Sequence, residues 1–227
     1  MSIRMPERFD VIVFDFDGTL VFSNQLKMDA YLQVASMFNG GGEKLSELVG
    51  REPPIGDRYS LFKEFVGYAV SNQITTSLTE KEIFDLVCIK YTELTFASIS
   101  QAEARVGSID LLDSLMKEDI MCFIISGTPQ NCLIPILKAR GMANLFEEVL
   151  GGPKNKYDNL RMLSDRYGIE ISRFLIVGDG QDDFECACRA NCGFIGVYGG
   201  SLKTEVECMI DSYESFQLAL DACKPVS

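Results

Sequence analysis

Apolar residues follow two rhythms along this chain, and the rhythm changes twice. The run from Phe9 to Phe14 is short and rich in β-branched and aromatic residues, which predicts a buried strand. From about Asn24 the spacing turns helical. Leu26, Tyr31, Leu32, Val34, Ala35 and Phe38 predict a helix that Gly40-Gly41-Gly42 stops. Glu43 to Val49 reads as a short helix, residues 51–56 as a loop, and Asp57 to Asn72 as a helix with Leu61, Phe62, Phe65, Val66 and Ala69 on one broad face. Thr79 followed by Glu82 has the form of a capping box and opens a helix reaching about Ala97. Between about residues 22 and 97 no strand pattern occurs.

Beyond that block, helical and strand patterns alternate. Helices are predicted over Ile109–Lys117, Pro129–Arg140, Lys156–Tyr167 and Asp183–Ala190, with weaker ones to Cys223. Pro135 inside the second of these predicts a kink, and Gly141 a C-terminal stop. Strands are predicted over Ile120–Ile125, Glu147–Leu150, Arg173–Val177 and Phe194–Tyr198. Alternation of this kind points to an α/β fold, a Rossmann-like parallel sheet with helices on both faces. The helical block interrupts it directly after the first strand. The expected organisation is therefore a core of residues 1–21 and 98–227 with an α-helical insertion of residues 22–97.

Ligands of open parallel sheets bind beyond the carboxyl ends of the strands, and reactive residues gather there. The first strand ends in Asp15-Phe16-Asp17-Gly18, the second in Ser126-Gly127-Thr128, and the fourth in Gly178-Asp179 with Asp182 and Asp183 following. Asp15 and Asp17, two apart, face one side if strand geometry persists. Such a pair either binds a hard cation or splits into a charged and a protonated partner. Ser126 offers a hydroxyl to a phosphoryl oxygen. Gly127 and the helix start near Pro129 offer backbone N–H groups to an anion. Asp179 adds a carboxylate that suits magnesium. Lys154 and Lys156 both offer a balancing cation, and their spacing alone does not rank them.

Composition narrows the chemistry. The 227 residues include 33 acidic and 21 basic ones, a net charge of -12, which argues against nucleic acid or an anionic membrane surface as partner. A phosphate site must then be locally positive. With no histidine, the commonest general base and zinc ligand are missing. The eight cysteines form no CxxC pair. Of Cys186, Cys188 and Cys192, helical spacing places the last two on one face and Cys186 elsewhere, so free structural thiols are expected. No signal peptide or spanning segment is apparent, and a soluble, intracellular, cytoplasmic protein is expected.

Asp15-Phe-Asp17-Gly-Thr-Leu after an N-terminal apolar strand closely resembles the first motif of the haloacid dehalogenase-like hydrolases. Ser126 after its strand resembles the second motif, Lys156 in Pro153-x-x-Lys156 the third, and Gly-Asp179-x-x-x-Asp183 the fourth. A helical insertion after the first motif resembles subfamily I, whose helical cap covers the site and which includes phosphoglycolate phosphatase and β-phosphoglucomutase. Where many phosphoglycolate phosphatase-like sequences carry Asp-Ser, this chain has Phe22-Ser23.

The resemblance implies a magnesium-dependent phosphatase of a small phosphorylated metabolite. Asp15 is then the nucleophile that forms an aspartyl-phosphate, and Asp17 the general acid and base. Ser126, Gly127 and Lys156 hold the phosphoryl oxygens. Asp15, Asp179 and the Asp17 backbone carbonyl hold Mg2+, and Asp183 lies one layer further out, orienting Lys156 or a metal-bound water. A sugar phosphomutase and a non-catalytic phosphate-binding module are the alternatives. A true dehalogenase would need no acid at Asp17.

Overall fold

In a computed structural model of the protein, residues 3–51, 57–74 and 77–226 are described. The loop expected over residues 51–56 lies, beyond Arg51, outside them. One six-stranded parallel sheet carries the core: β1 (Val11–Phe14), β2 (Cys122–Pro129), β3 (Glu148–Gly152), β4 (Phe174–Gly178), β5 (Gly193–Val197) and β6 (Met209–Ile210), in the order β3-β2-β1-β4-β5-β6. The expected α/β parallel sheet is the observed one. Its direction of travel reverses at β1, where the chain returns from β3 to place β4 on the other side. That reversal opens a crevice beyond the carboxyl ends of β1 and β4.

β1 is paired on both sides, with Phe14 opposite Ile124 of β2 and Val177 of β4. All four of its residues are buried, which is why it reads as an unbroken apolar run. Alternate residues serve opposite layers. Val11 and Val13 join Phe123, Phe174, Ile176 and Phe194 in a cluster with Leu160 and Leu163 of α7 (Lys156–Tyr167) and Ala187 of α8 (Gln181–Ala190). On the other layer the Phe14 ring meets Phe146 and Tyr213, at centroid distances of 6.5 and 6.3 Å. Burying each such side chain contributes about 1.5–3 kcal/mol, so the strand that carries Asp15 is held from every direction.

The chain divides into two compact units, Met1–Asn24 with Ala102–Ser227, and Gln25–Gln101. The boundaries fall a few residues later than the expected 22 and 97. Residues on either side of the insertion are paired into the α/β unit: Phe22 N donates to Glu103 O (3.0 Å), Arg105 N donates to Leu20 O (2.9 Å), and Val21 bridges Ala104. The second unit is helical, with α1 (Asn24–Ala35), α2 (Gly41–Val49), α3 (Arg58–Ser71) and α4 (Glu80–Ile99). Its core gathers Val34, Phe62, Phe65, Val87 and Tyr91, and Tyr31 stacks on Tyr91 at 4.2 Å. The capping box is present: Glu82 N donates to Thr79 Oγ1 (3.3 Å) and Thr79 N to Glu82 Oε2 (2.8 Å).

Three local expectations are corrected. β2 does not stop at Ile125 but continues through Ser126-Gly127-Thr128 to Pro129, because β3 runs beside it and resumes pairing at Pro129 and Gly152 after a shift in register. β6, two residues long, is too short to leave a periodic trace. Cys192 does not share a helix face with Cys188. Asn191 adopts the left-handed conformation (φ 51°) and ends α8, so Cys192 turns into the core beside Cys186, while Cys188 is half-buried. Among the described residues, the eight cysteines form no disulfide. Burial pushes Cys122 and Cys186 up to about 12, so little reactive thiolate forms there. Among the described residues no helix is long and apolar enough to cross a membrane.

Candidate active site

Asp15 continues β1 by one residue, its N–H donating to Val177 O at 2.9 Å. The loop that follows is held at successive carbonyls. Gly18 O accepts from Arg105 Nε (2.5 Å), Thr19 O from the Tyr213 hydroxyl (3.0 Å), and Leu20 O from Arg105 N (2.9 Å) and Ser108 Oγ (3.2 Å). Gly18 makes this turn at φ +76°, where L side chains are strained.

Within this frame both carboxylates are buried, Asp15 at 5% and Asp17 at 8% exposure. Asp17 Oδ1 accepts from Ser23 Oγ (2.7 Å) and Oδ2 from Thr128 Oγ1 (2.6 Å). Asp15 Oδ1 faces Lys156 Nζ at 3.2 Å, and Thr19 Oγ1 stands 3.4 Å from its Oδ2. Ser126 is buried in β2, its Oγ accepting from Thr128 N at 3.1 Å. Gly127 is exposed, and a Cβ on it would meet nothing within 4 Å, so its backbone is open to a ligand.

Lys156 is the first residue of α7, whose N-cap Asn155 accepts from Asp158 N (2.8 Å). From there Nζ reaches Asp183 Oδ1 (2.6 Å) and Asp182 Oδ2 (3.1 Å) besides Asp15. Lys154 points away: it is exposed, with Nζ 3.6 Å from Met162 Sδ. The two lysines, alike in spacing, thus have different surroundings: Lys156 meets buried carboxylates and Lys154 is exposed. Asp183 Oδ2 accepts from Gly180 N (3.2 Å) at the start of α8, and its carboxyl group packs where a Cβ on Gly178 would sit. Asp179 takes Thr19 Oγ1 on Oδ1 (3.2 Å) and Asn24 Nδ2 on Oδ2 (2.7 Å).

The electrostatics follow from crowding. Burial, with help from Asp179 and Asp17 and against Lys156, pushes Asp15 up to about 7. Burial also raises Asp179, and raises Asp183 well above the usual carboxylate range despite Lys156. For Lys156, burial works against the charge, but Asp15, Asp183 and Asp182 outweigh it and hold the ammonium well above its ordinary value. A site with this excess of negative charge asks for a further cation. Oxygens of Asp15, Asp179 and Asp183 lie within 4.8 Å of one another. All-oxygen donors of this kind fit a hard divalent ion.

The structure thus brings Asp15, Asp17, Ser126, Lys156, Asp179 and Asp183 to one sheet edge. Sequence reasoning missed Ser23, Thr19, Thr128, Asn24 and Arg105 as partners. Thr19 and Thr128 lie inside recognised strand-end segments and were open to discovery there. Asn24 and Arg105 carry no local signal.

The chain is similar to known proteins over most of its length. It is 26% identical over 206 residues to a phosphoglycolate phosphatase of Mannheimia succiniciproducens, covering 86% of this chain and 88% of that one. It is 30% identical over 209 residues to a phosphoglycolate phosphatase of Shigella boydii, covering 83% and 81%. The crystal structure of a predicted phosphoglycolate phosphatase from Haemophilus somnus superposes with a TM-score of 0.73 at 22% identity, covering 92% of this chain and 96% of that one. Residues 12–197 match the family model of the haloacid dehalogenase-like hydrolases, and with its four motifs gathered at the reversal of the sheet, the chain belongs to that family.

Proposed function

We propose that the chain is a phosphatase, a phosphoric monoester hydrolase acting on a small phosphorylated metabolite through an aspartyl-phosphate. The observation that carries this reading is the meeting of Asp15 with Lys156 at 3.2 Å inside a buried ring of carboxylates. A carboxylate nucleophile and a phosphoryl group repel one another, so such a site must supply positive charge where the reaction occurs.

In the first half-reaction an Asp15 oxygen attacks phosphorus, and the bond to the ester oxygen breaks. Asp17 delivers its proton to that leaving oxygen. Ser23 and Thr128, bonded to its two oxygens, hold it in position. In the second half-reaction Asp17 takes a proton from water, whose oxygen attacks the phosphorus of the aspartyl-phosphate. Phosphate leaves and Asp15 is restored. Lys156, the Ser126 hydroxyl and the open backbone at Gly127 bind phosphoryl oxygens in both steps. Asp15, Asp179 and the Asp17 carbonyl would hold Mg2+, with Asp183 anchoring Lys156 beside them. When bound, that ion neutralises charge between carboxylate and phosphoryl oxygens. The names of the curated relatives make phosphoglycolate the first substrate to test.

The test is phosphate release from phosphoglycolate and from p-nitrophenyl phosphate, with magnesium and with excess chelator, for the wild type and Asp15→Asn. Magnesium-dependent turnover that vanishes in Asp15→Asn is expected. Full activity in chelator removes the cation from the mechanism, and an active Asp15→Asn removes the aspartyl-phosphate.

A further inference from the structure

Arg105 stands on the segment that re-enters the α/β unit and is 7% exposed. Its Nε donates to Gly18 O at 2.5 Å and its Nη2 to Tyr198 O at 2.6 Å, while the guanidinium lies 4.7 Å from the centroid of the Phe22 ring. Burying a guanidinium is costly unless its N–H groups find acceptors. Here the acceptors are two backbone carbonyls from separate loops.

Those loops are the walls of Asp179. A Cβ on Gly18 would lie 2.1 Å from Asp179 Oδ2, and one on Gly200 would lie 2.3 Å from the same oxygen. Ser201 N also donates to Asp179 O at 2.9 Å. Both walls must be glycine to come this close. Glycine leaves a loop with more conformational freedom than any other residue, so neither wall is held by a side chain of its own at the point of contact. The planar fork of Arg105 spans the two loops and fixes their separation.

We propose that Arg105 is a positioning residue that clamps the loops after β1 and β5 around Asp179, and so sets the affinity of the carboxylate cluster for its divalent cation. This rests on the reading of that cluster as a cation site. Lysine in place of Arg105 keeps the charge but has no fork to span both carbonyls. Methionine keeps length and loses every donor.

The experiment uses Mn2+ as the probe, titrated against the full chain and read by the electron paramagnetic resonance of the free ion. Wild type, Asp179→Asn, Arg105→Lys and Arg105→Met are compared, with thermal melting and amide hydrogen exchange on each. The wild type should bind one ion and Asp179→Asn should lose it. Both Arg105 variants should weaken binding about tenfold or more, with faster exchange at residues 18–20 and 198–201 and unchanged protection in β1 and β4. If Arg105→Met does not fold, Arg105→Lys decides alone. Wild-type Mn2+ affinity in a folded Arg105 variant, whatever its melting temperature, overturns the clamp. A wild type that binds no Mn2+, or an Asp179→Asn that binds as tightly, instead overturns the cation site itself and the clamp with it.

Discussion

The Thr128 hydroxyl donates to Asp17 Oδ2 at 2.6 Å, joining the end of β2 to the loop after β1 across 111 residues of chain. Both groups are buried, at 4% and 8% exposure. A hydrogen bond to a charged group is worth about 1.5–3 kcal/mol. Thr128→Val keeps the shape and removes the donor, so kcat on phosphoglycolate should fall about tenfold or more by that magnitude. Thr128→Ser should retain most of it. If Asp17 is the acid, the loss in aspartyl-phosphate formation should be smaller with an aryl phosphate, whose leaving group needs less protonation. Burst kinetics with both substrates check this.

Lys156 and Lys154 should separate completely. Lys156→Ala removes the ammonium that touches Asp15 and Asp183, and turnover should drop by on the order of 10²–10³-fold, as when one transition-state donor is lost. Lys156→Arg should not restore it, since a guanidinium is a planar fork where the pocket holds a compact charge. Lys154→Ala should stay within about twofold, as a surface charge contributes little. Steady-state kinetics of the three variants decide the matter.

The metal-free protein should lose stability as pH rises toward neutrality. Asp15 is pushed up to about 7, with burial named first among its causes, against about 3.9 for an unfolded chain. Between those values the folded state holds a proton that the unfolded state does not, so the slope of stability with pH is negative. Asp179 and Asp183 are raised as well and act in the same direction. Lys156, raised above its ordinary value, contributes stability below about pH 10.5 and loses it only above, outside this window. Melting in excess chelator should therefore be higher at pH 5.5 than at pH 8, with each kcal/mol appearing as about 2–4 °C. Added magnesium should narrow the difference by stabilising the ionised cluster.

Gly18 and Gly141 offer a controlled pair. Both have positive φ, +76° and +71°, but a Cβ on Gly18 would strike Asp179 Oδ2 at 2.1 Å and Asn24 Nδ2 at 2.2 Å, whereas one on Gly141 meets nothing within 4 Å. Alanine at either position should cost about 1–2 kcal/mol of backbone strain. Only Gly18→Ala should also displace Asp179 and lose magnesium-dependent activity. Chemical denaturation and activity measured on the same samples test both halves.

The sequence by itself determined the alternation of strands and helices, the helical insertion and the reactive residues that follow the apolar runs. Periods of 2 and 3.6 are local properties. Asp15, Ser126 and Asp179 each follow an apolar run that reads as a buried strand, and finding them needed no knowledge of the neighbours, although β2 runs on past Ser126 to Pro129 where β3 pairs with it. Other features were settled by tertiary structure. Strand order put β4 beside β1 and so brought Asp179 to Asp15. The start of α7 aimed Lys156 inward and left Lys154 in solvent. Asn24 reaches Asp179 across 155 residues and Arg105 reaches Gly18 across 87. No rhythm encodes such pairs, because a lone amide or guanidinium looks the same in solvent and in a core until the loops around it are placed. Gly199-Gly200 directly follows the last predicted strand. Its second glycine became a wall of the carboxylate site once β5 stood next to β4, where only a residue without a side chain leaves room for Asp179.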